Sequence, residues 1–188
     1  MSNRMPGTVA MICDPALLVE AVITKDQGHH LVVGIASMVF MFGWICSNTA
    51  MRRLRAAGTG RWGRAVLLVQ LAGFVLAFAW GFFEATGLFG RGDIIFDVAD
   101  SAWPLSMIWM LLTVVISAIL AGRLPGWRGF VPMLCGSWLP LGFALMPLFG
   151  GSAGYVGFGM TVVFWFVLGL VVRNSEERIQ VAPQPAVR

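Results

Sequence analysis

Glu84 is an acidic residue inside a long apolar stretch of this sequence, and a carboxyl group in such a place binds a proton, a cation or a partner side chain. Three residues that could join it, His29, His30 and Asp100, lie where other apolar stretches begin. Two imidazoles and two carboxyl groups brought together would respond to protons, cations or metal ions. The alternative is that these residues only mark the water interface, with Asp100 capping a helix.

Other chemical patterns in the sequence are weaker. Asp93, Asp97 and Asp100 would share one face of a helix and could bind a metal in a lipid-modifying enzyme, but surface acids are commonly just solvated. Adjacent helical residues point about 100° apart, so His29 and His30 are not opposite axial ligands of one haem. We therefore predict no catalytic residue, no cofactor, no bound metal and no enzymatic activity.

Five apolar stretches would position these residues. Hydrophobic residues make up 58% of the 188-residue chain and charged residues 12%, against about 25% charged in soluble domains. Each stretch approaches the roughly 20 helical residues that a bilayer core requires. The sequence therefore predicts an all-α integral membrane protein, a compact bundle of five transmembrane helices. The predicted crossings are residues 30–51, 65–89, 101–122, 129–149 and 154–172.

The basic residues orient this bundle. Most of the 13 lysines and arginines follow the first, third or fifth stretch, and a Lys/Arg bias in short loops marks the cytoplasmic side. The N-terminus is then predicted outside and the C-terminus in the cytoplasm. The densest basic group, which we also expect to contact lipid headgroups, comprises Arg52, Arg53, Arg55, Arg61 and Arg64.

Segments outside the crossings are predicted from their length and polarity. Residues 1–29 should lie on the outer side and include a short interfacial helix at 16–24. Residues 93–100 should form a second interfacial helix, and residues 173–188 a disordered cytoplasmic tail. Within the fourth crossing, Pro140 should kink the helix because it lacks an N–H donor.

Small residues recur at every fourth position of the second crossing. Such a ladder lets another helix backbone approach closely, and it predicts tight packing. At 100° per residue Gln70 and Glu84 fall on the same face, so both polar groups should point into the bundle. The ladder consists of Gly73, Ala77, Gly81 and Ala85.

These patterns leave the activity open. The leading expectation is an accessory, scaffold or assembly component of the plasma membrane, because the loops are short and no catalytic constellation is visible. The alternative is a small transporter or channel for protons, cations or a small solute, using an outer site around Glu84. Expected partners are membrane lipids and either a second copy of the chain or another membrane protein. Nucleic acid is not expected, because the basic residues adjoin apolar crossings.

Overall fold

The computed structural model describes residues 4–23, 30–122, 124 and 126–181, and the regular structure in these ranges is all helical. The α-helices are numbered in chain order. They are α1 (Arg4–Cys13), α2 (Ala16–Ile23), α3 (His30–Arg53), α4 (Arg61–Thr86), α5 (Ile94–Trp109), α6 (Val115–Ala121), α7 (Val131–Gly136), α8 (Trp138–Phe149) and α9 (Ala153–Val181).

Several of these helices are long and apolar enough to cross a membrane. Four candidates stand alone, namely α3, α4, Ile94–Leu112 and Tyr155–Ser175. A fifth is the bent pair Gly126–Gly136 and Leu139–Phe149. The described residues therefore contain four or five candidate crossings by length and composition, which indicates a multi-pass membrane protein. The predicted all-α class is confirmed.

The first two predicted crossings correspond to α3 and α4, which form an antiparallel hairpin. α3 begins at His30, as predicted, and ends at Arg53. α4 starts four residues earlier than predicted, at Arg61. Its end is set by Gly87, whose φ of 64° lies in the left-handed region that favours glycine. The hairpin places the start of α3 beside the end of α4.

The third crossing begins earlier than predicted. α5 starts at Ile94, so the predicted surface helix at 93–100 instead forms the first turns of the crossing itself. The physical reason is that no glycine or proline separates this segment from Ser101, so nothing stops the helix from continuing. A π-helical turn at Met110–Val114 then joins α5 to α6.

The predicted fourth crossing corresponds to a bent pair of helices whose axes differ by 70°. α7 ends at Gly136 and α8 begins at Trp138, so the break lies just ahead of Pro140. A proline ring clashes with the carbonyl four residues earlier, here that of Gly136, and removes one helical N–H. The kink expected from Pro140 is therefore present, displaced by less than one turn.

The N-terminal segment differs most from its prediction. The sequence predicted a single short helix on the surface, whereas α1 and α2 pack against α3 and α9. A Cβ atom on Gly7 of α1 would lie 2.7 Å from the Gly169 carbonyl oxygen and 2.9 Å from the backbone nitrogen of Arg173. Leu17 of α2 is 1% exposed and belongs to the core of the bundle. Both helices therefore pack within the helix bundle.

An aromatic cluster fills the centre of the bundle. Trp44 of α3 stacks on Trp165 of α9 with ring centroids 4.0 Å apart, and both side chains are fully buried. Phe40 lies 4.4 Å from Trp44 and Phe74 of α4 lies 5.7 Å from Trp165, both edge-on. Large rings in such geometry contribute both burial and specific ring contacts. The cluster joins α3, α4 and α9 and so fixes how these helices are rotated.

Candidate functional site

The candidate site lies where α3 begins and α4 ends, which we call the His30 end of the bundle. His30 Nδ1 and Glu84 Oε1 form a hydrogen-bonded pair between the two helices. The imidazole N–H donates, because an ionised carboxylate only accepts. The His30 side chain is 75% exposed and that of Glu84 is 18% exposed. The carboxylate is therefore largely withdrawn from water, with a solvent-accessible imidazole beside it.

This pair lies in the wall of an open cavity of about 700 Å³, which we call the vestibule. Its volume is within the range of small-molecule sites, about 300–1,000 Å³. Glu84 and Asp100 give the vestibule two carboxyl groups, and Arg91 gives it a guanidinium. The aromatic side chains in its lining are Trp80, Phe83, Phe89 and Phe96. Sequence reasoning found Glu84, His30 and Asp100 but missed these rings.

A close backbone contact one turn inside the vestibule positions the pair. A Cβ atom on Gly34 of α3 would lie 2.5 Å from both the Ala85 nitrogen and the Gly81 carbonyl oxygen. Real side chains do not approach backbone that closely, so only glycine fits. Two members of the predicted ladder, Gly81 and Ala85, therefore contact α3. This contact holds His30 opposite Glu84.

A second, smaller cavity adjoins the vestibule and extends toward the centre of the bundle. This inner cavity has a volume of about 170 Å³ and shares Trp80 and Asp100 with the vestibule. The Ser37 hydroxyl gives it a polar group, and Ala77 of the ladder also lines it. Asp100 thus lies at the junction of the two cavities. The remaining lining residues are Leu17, Phe40, Met41, Trp103 and Phe158.

The other half of the ladder contacts α5. Gly73 is so close to α5 that a Cβ atom on it would lie 2.1 Å from the Ser106 hydroxyl oxygen. The side chain of Gln70 is fully buried, and its Nε2 donates to the Ser106 carbonyl oxygen at 3.1 Å. The ladder residues therefore make two helix contacts within the chain, one with α3 and one with α5.

Four of the five arginines expected at lipid headgroups meet at the opposite end of the α3–α4 hairpin. Arg52, Arg53, Arg55 and Arg64 line a cavity of about 300 Å³ there, while Arg61 begins α4. Guanidinium groups bind phosphate oxygens through paired N–H donors. The cavity therefore offers several donors to one phosphate.

Asp14, between α1 and α2, is a buried carboxyl group that sequence reasoning missed. Its side chain is 0% exposed, and neither carboxyl oxygen has a hydrogen-bond partner among the residues that the structure describes. The sequence assigned this aspartate to the outer surface because the apolar runs beside it are each too short to cross a membrane. The sequence feature that could have revealed its burial is the combined length of these two runs, since Arg4–Cys13 and Ala16–Ile23 together approach the length of one crossing.

The remaining predicted residues lie apart from the vestibule or outside the described ranges. Asp93 Oδ2 accepts from the Gly90 N–H at 2.8 Å, and Asp97 Oδ1 accepts from the Gly92 N–H at 3.3 Å. These two aspartates therefore order the loop before α5. His29 lies outside the residues that the structure describes. Within those residues, no three His, Cys, Asp or Glu side chains are placed to hold a metal ion.

Comparison with models of protein families, with curated proteins and with solved structures gave no match to this chain. The chemistry of the site follows from its own residues. The lining combines two carboxyl groups and four aromatic rings, which attract a cationic group, with one guanidinium, which attracts an anionic group.

Proposed function

We propose that the protein is a small membrane transporter or channel that binds a cationic solute in the vestibule, with Glu84 as the principal ligand. The observation that carries this proposal is the position of the Glu84 carboxylate. It is largely shielded from water, it is paired with an exposed imidazole, and it faces a cavity that adjoins a deeper one. A withdrawn carboxylate in a membrane bundle is characteristic of ion and solute pathways.

The charges around the vestibule narrow the class of solute. Glu84 and Asp100 would bind a protonated amine, and the faces of Trp80 and Phe83 would stabilise the same positive charge. Arg91 lines the same cavity and would repel a simple cation, but it would bind an anionic group of the same molecule. A small solute with a cationic nitrogen and a carboxylate satisfies all of these groups.

The His30–Glu84 pair and the solute would compete for the same carboxylate. An incoming amine would replace the imidazole as the partner of the Glu84 carboxylate. The His30 side chain is exposed, so the displaced imidazole can be hydrated without leaving its place at the start of α3. Solute binding would then break the contact between the side chains of α3 and α4.

In this proposal, the arginines decide how the protein is oriented in the membrane. The cavity lined by Arg52, Arg53, Arg55 and Arg64 lies at the opposite end of the hairpin from the vestibule, and short loops rich in arginine face the cytoplasm. The vestibule would therefore open to the outside of the plasma membrane. The arginine cavity would bind the phosphate of an inner-leaflet lipid.

The accessory or scaffold role expected from the sequence has less support, because the ladder is used inside the chain. Gly81 contacts α3 and Gly73 contacts α5, so these small residues already serve packing within the chain. The short loops that also favoured this role fit a transporter equally well.

The experiment is solute uptake by purified protein in proteoliposomes, with glycine as the zwitterionic probe and methylammonium as the cationic one. Glu84→Gln should raise the concentration that gives half-maximal uptake at least tenfold for both probes, because losing one desolvated charge contact costs about 2 kcal/mol or more of binding free energy. Arg91→Gln should weaken glycine alone. The matched control is Asp97→Asn, which changes a carboxylate that does not line the vestibule.

Two results would contradict the proposal. One is proteoliposomes that move neither probe and show no proton or cation flux across an imposed gradient. The other is uptake that Glu84→Gln and Asp97→Asn change equally, since this would show that the paired carboxylate is not a ligand.

A further inference from the structure

We infer that α1 and α2 form one additional membrane crossing, broken at Asp14 and Pro15, and that this crossing places Asp14 at a proton-binding site in the centre of the bundle. The inference rests on the packing of the N-terminal segment. It holds whether or not the vestibule binds a solute.

The depth of Asp14 follows from its contacts with α3. A Cβ atom on Gly43 would lie 2.9 Å from the Cys13 Cβ and 3.4 Å from Asp14 Oδ1. Gly43 is near the midpoint of α3, a helix of membrane-crossing length. At 1.5 Å per residue it is about 20 Å from the His30 end and about 15 Å from the other end. Asp14 is therefore at mid-bundle depth.

The two helices extend in opposite directions from this point. On the N-terminal side, Gly7 packs on Gly169 and Arg173, near the C-terminal end of the candidate crossing Tyr155–Ser175. On the other side, Leu17 lines the inner cavity that Asp100 also lines, toward the vestibule. Residues 4–23 would measure about 30 Å as helix, the thickness of a bilayer core. The segment therefore runs the length of the bundle.

Pro15 explains why this crossing is broken. Its ring prevents a regular helix through the residues before it, so α1 ends at Cys13 and α2 restarts at Ala16. Each piece alone is too short to be recognised as a crossing. Broken helices within membranes occur where the irregular backbone is covered by protein, and both α1 and α2 pack against α3 and α9.

A proton is the ligand that the surroundings of Asp14 accommodate. Neither carboxyl oxygen has a hydrogen-bond partner in the described part of the chain, and an isolated carboxylate in an apolar interior is far costlier than the neutral acid. Among the residues that the structure describes, the titratable groups that interact with it are thiols, Cys13 beside it and Cys135 of α7, with Cys46 of α3 next to Cys13. A hard cation would need about six oxygen ligands, whereas binding one proton needs only the carboxylate itself.

The cavities provide the route for this proton. The inner cavity shares Asp100 with the vestibule, and the Ser37 hydroxyl lies in its wall. Leu17, also in its wall, donates its backbone N–H to the Asp14 carbonyl oxygen at 3.3 Å. A residue of the cavity wall is therefore one helical turn along the chain from Asp14. Protonation adds one H⁺ from the vestibule to the carboxylate and forms the neutral acid.

The first test is infrared spectroscopy of the purified full-length protein at neutral pH. Exposed carboxyl groups are ionised there, so a C=O band of a protonated carboxylic acid reports a buried one. The wild type and Asp97→Asn should show this band, and Asp14→Asn should lose it. A wild type without the band, or a band retained in Asp14→Asn, would overturn the proton site.

The second test asks whether the N-terminal segment crosses the membrane. It uses the wild-type sequence with added tags, so it does not depend on how a substituted variant folds. Epitope tags at the N-terminus and the C-terminus are probed with antibody in intact and permeabilised cells. Both tags should be inaccessible until permeabilisation, while a tag inserted between Gly90 and Asp93 should be accessible throughout. An N-terminal tag that is accessible in intact cells while the C-terminal tag is protected overturns the additional crossing.

Discussion

Gly34→Ala tests the backbone contact that positions the His30–Glu84 pair. The added methyl carbon would lie 2.5 Å from two backbone atoms of α4, whereas ordinary van der Waals contact begins at 3.4 Å. Backbone atoms cannot rotate away as a flexible side chain can, so α3 and α4 must separate by about 1 Å. Overpacking of this kind costs about 1–3 kcal/mol.

The net effect is smaller because alanine is the better helix former. Replacing glycine inside a helix stabilises by about 0.5–1 kcal/mol. The free energy of unfolding should therefore fall by up to about 2.5 kcal/mol. Denaturation of purified protein in mixed detergent micelles, followed by tryptophan fluorescence, measures this difference.

Gly159→Ala is the matched control. Gly159 lies within α9, and a Cβ atom there would meet nothing within 4 Å. This substitution should leave the free energy of unfolding unchanged or raise it by up to about 1 kcal/mol. If Gly34→Ala proved as stable as Gly159→Ala, the close contact between α3 and α4 would be refuted.

Two further substitutions test the core. Trp44→Ala removes a fully buried ring that stacks on Trp165, so the free energy of unfolding should fall by about 3–5 kcal/mol. The control is Trp127→Ala, at a 63% exposed position, which should change this free energy by less than about 0.5 kcal/mol. Equal losses in the two variants would contradict the aromatic core. Gln70→Leu removes one interhelical hydrogen bond and also an amide oxygen that has no partner, so detergent denaturation should show a loss below about 1 kcal/mol, and a loss above 2 kcal/mol would contradict this account.

Hydropathy located the helices whose own length meets the membrane requirement. α3 begins at His30, as expected, because the apolar run starts there. The same reasoning placed Glu84 and His30 at one level, since both are near helix ends that a short hairpin brings together. Asp100 was likewise assigned to this group, and the structure places all three in the vestibule lining. The position of these residues at the ends of apolar stretches was sufficient to predict that they lie close together.

Features that depend on packing between distant segments were not predictable in this way. The ladder indicates which face of α4 packs, but Trp80 lies in the vestibule wall because of which helix that face meets, and the Gly34–Gly81 contact that decides this joins distant segments. Asp14 looked like a surface residue because its burial depends on α3 and α9, not on its own neighbours in sequence. Pro15 was the local signal, since it divides an otherwise crossing-length apolar segment.

The interlocked backbones of α3 and α4 have a consequence for motion in this protein. Because the backbones of α3 and α4 are in direct contact at Gly34 and Gly81, sliding one helix along the other would bring side chains against backbone. The two helices should therefore move as one unit that carries Glu84, while Asp100 belongs to α5. The distance between the two carboxyl groups of the vestibule then depends on how α5 sits against this hairpin, where Ser106 contacts Gly73.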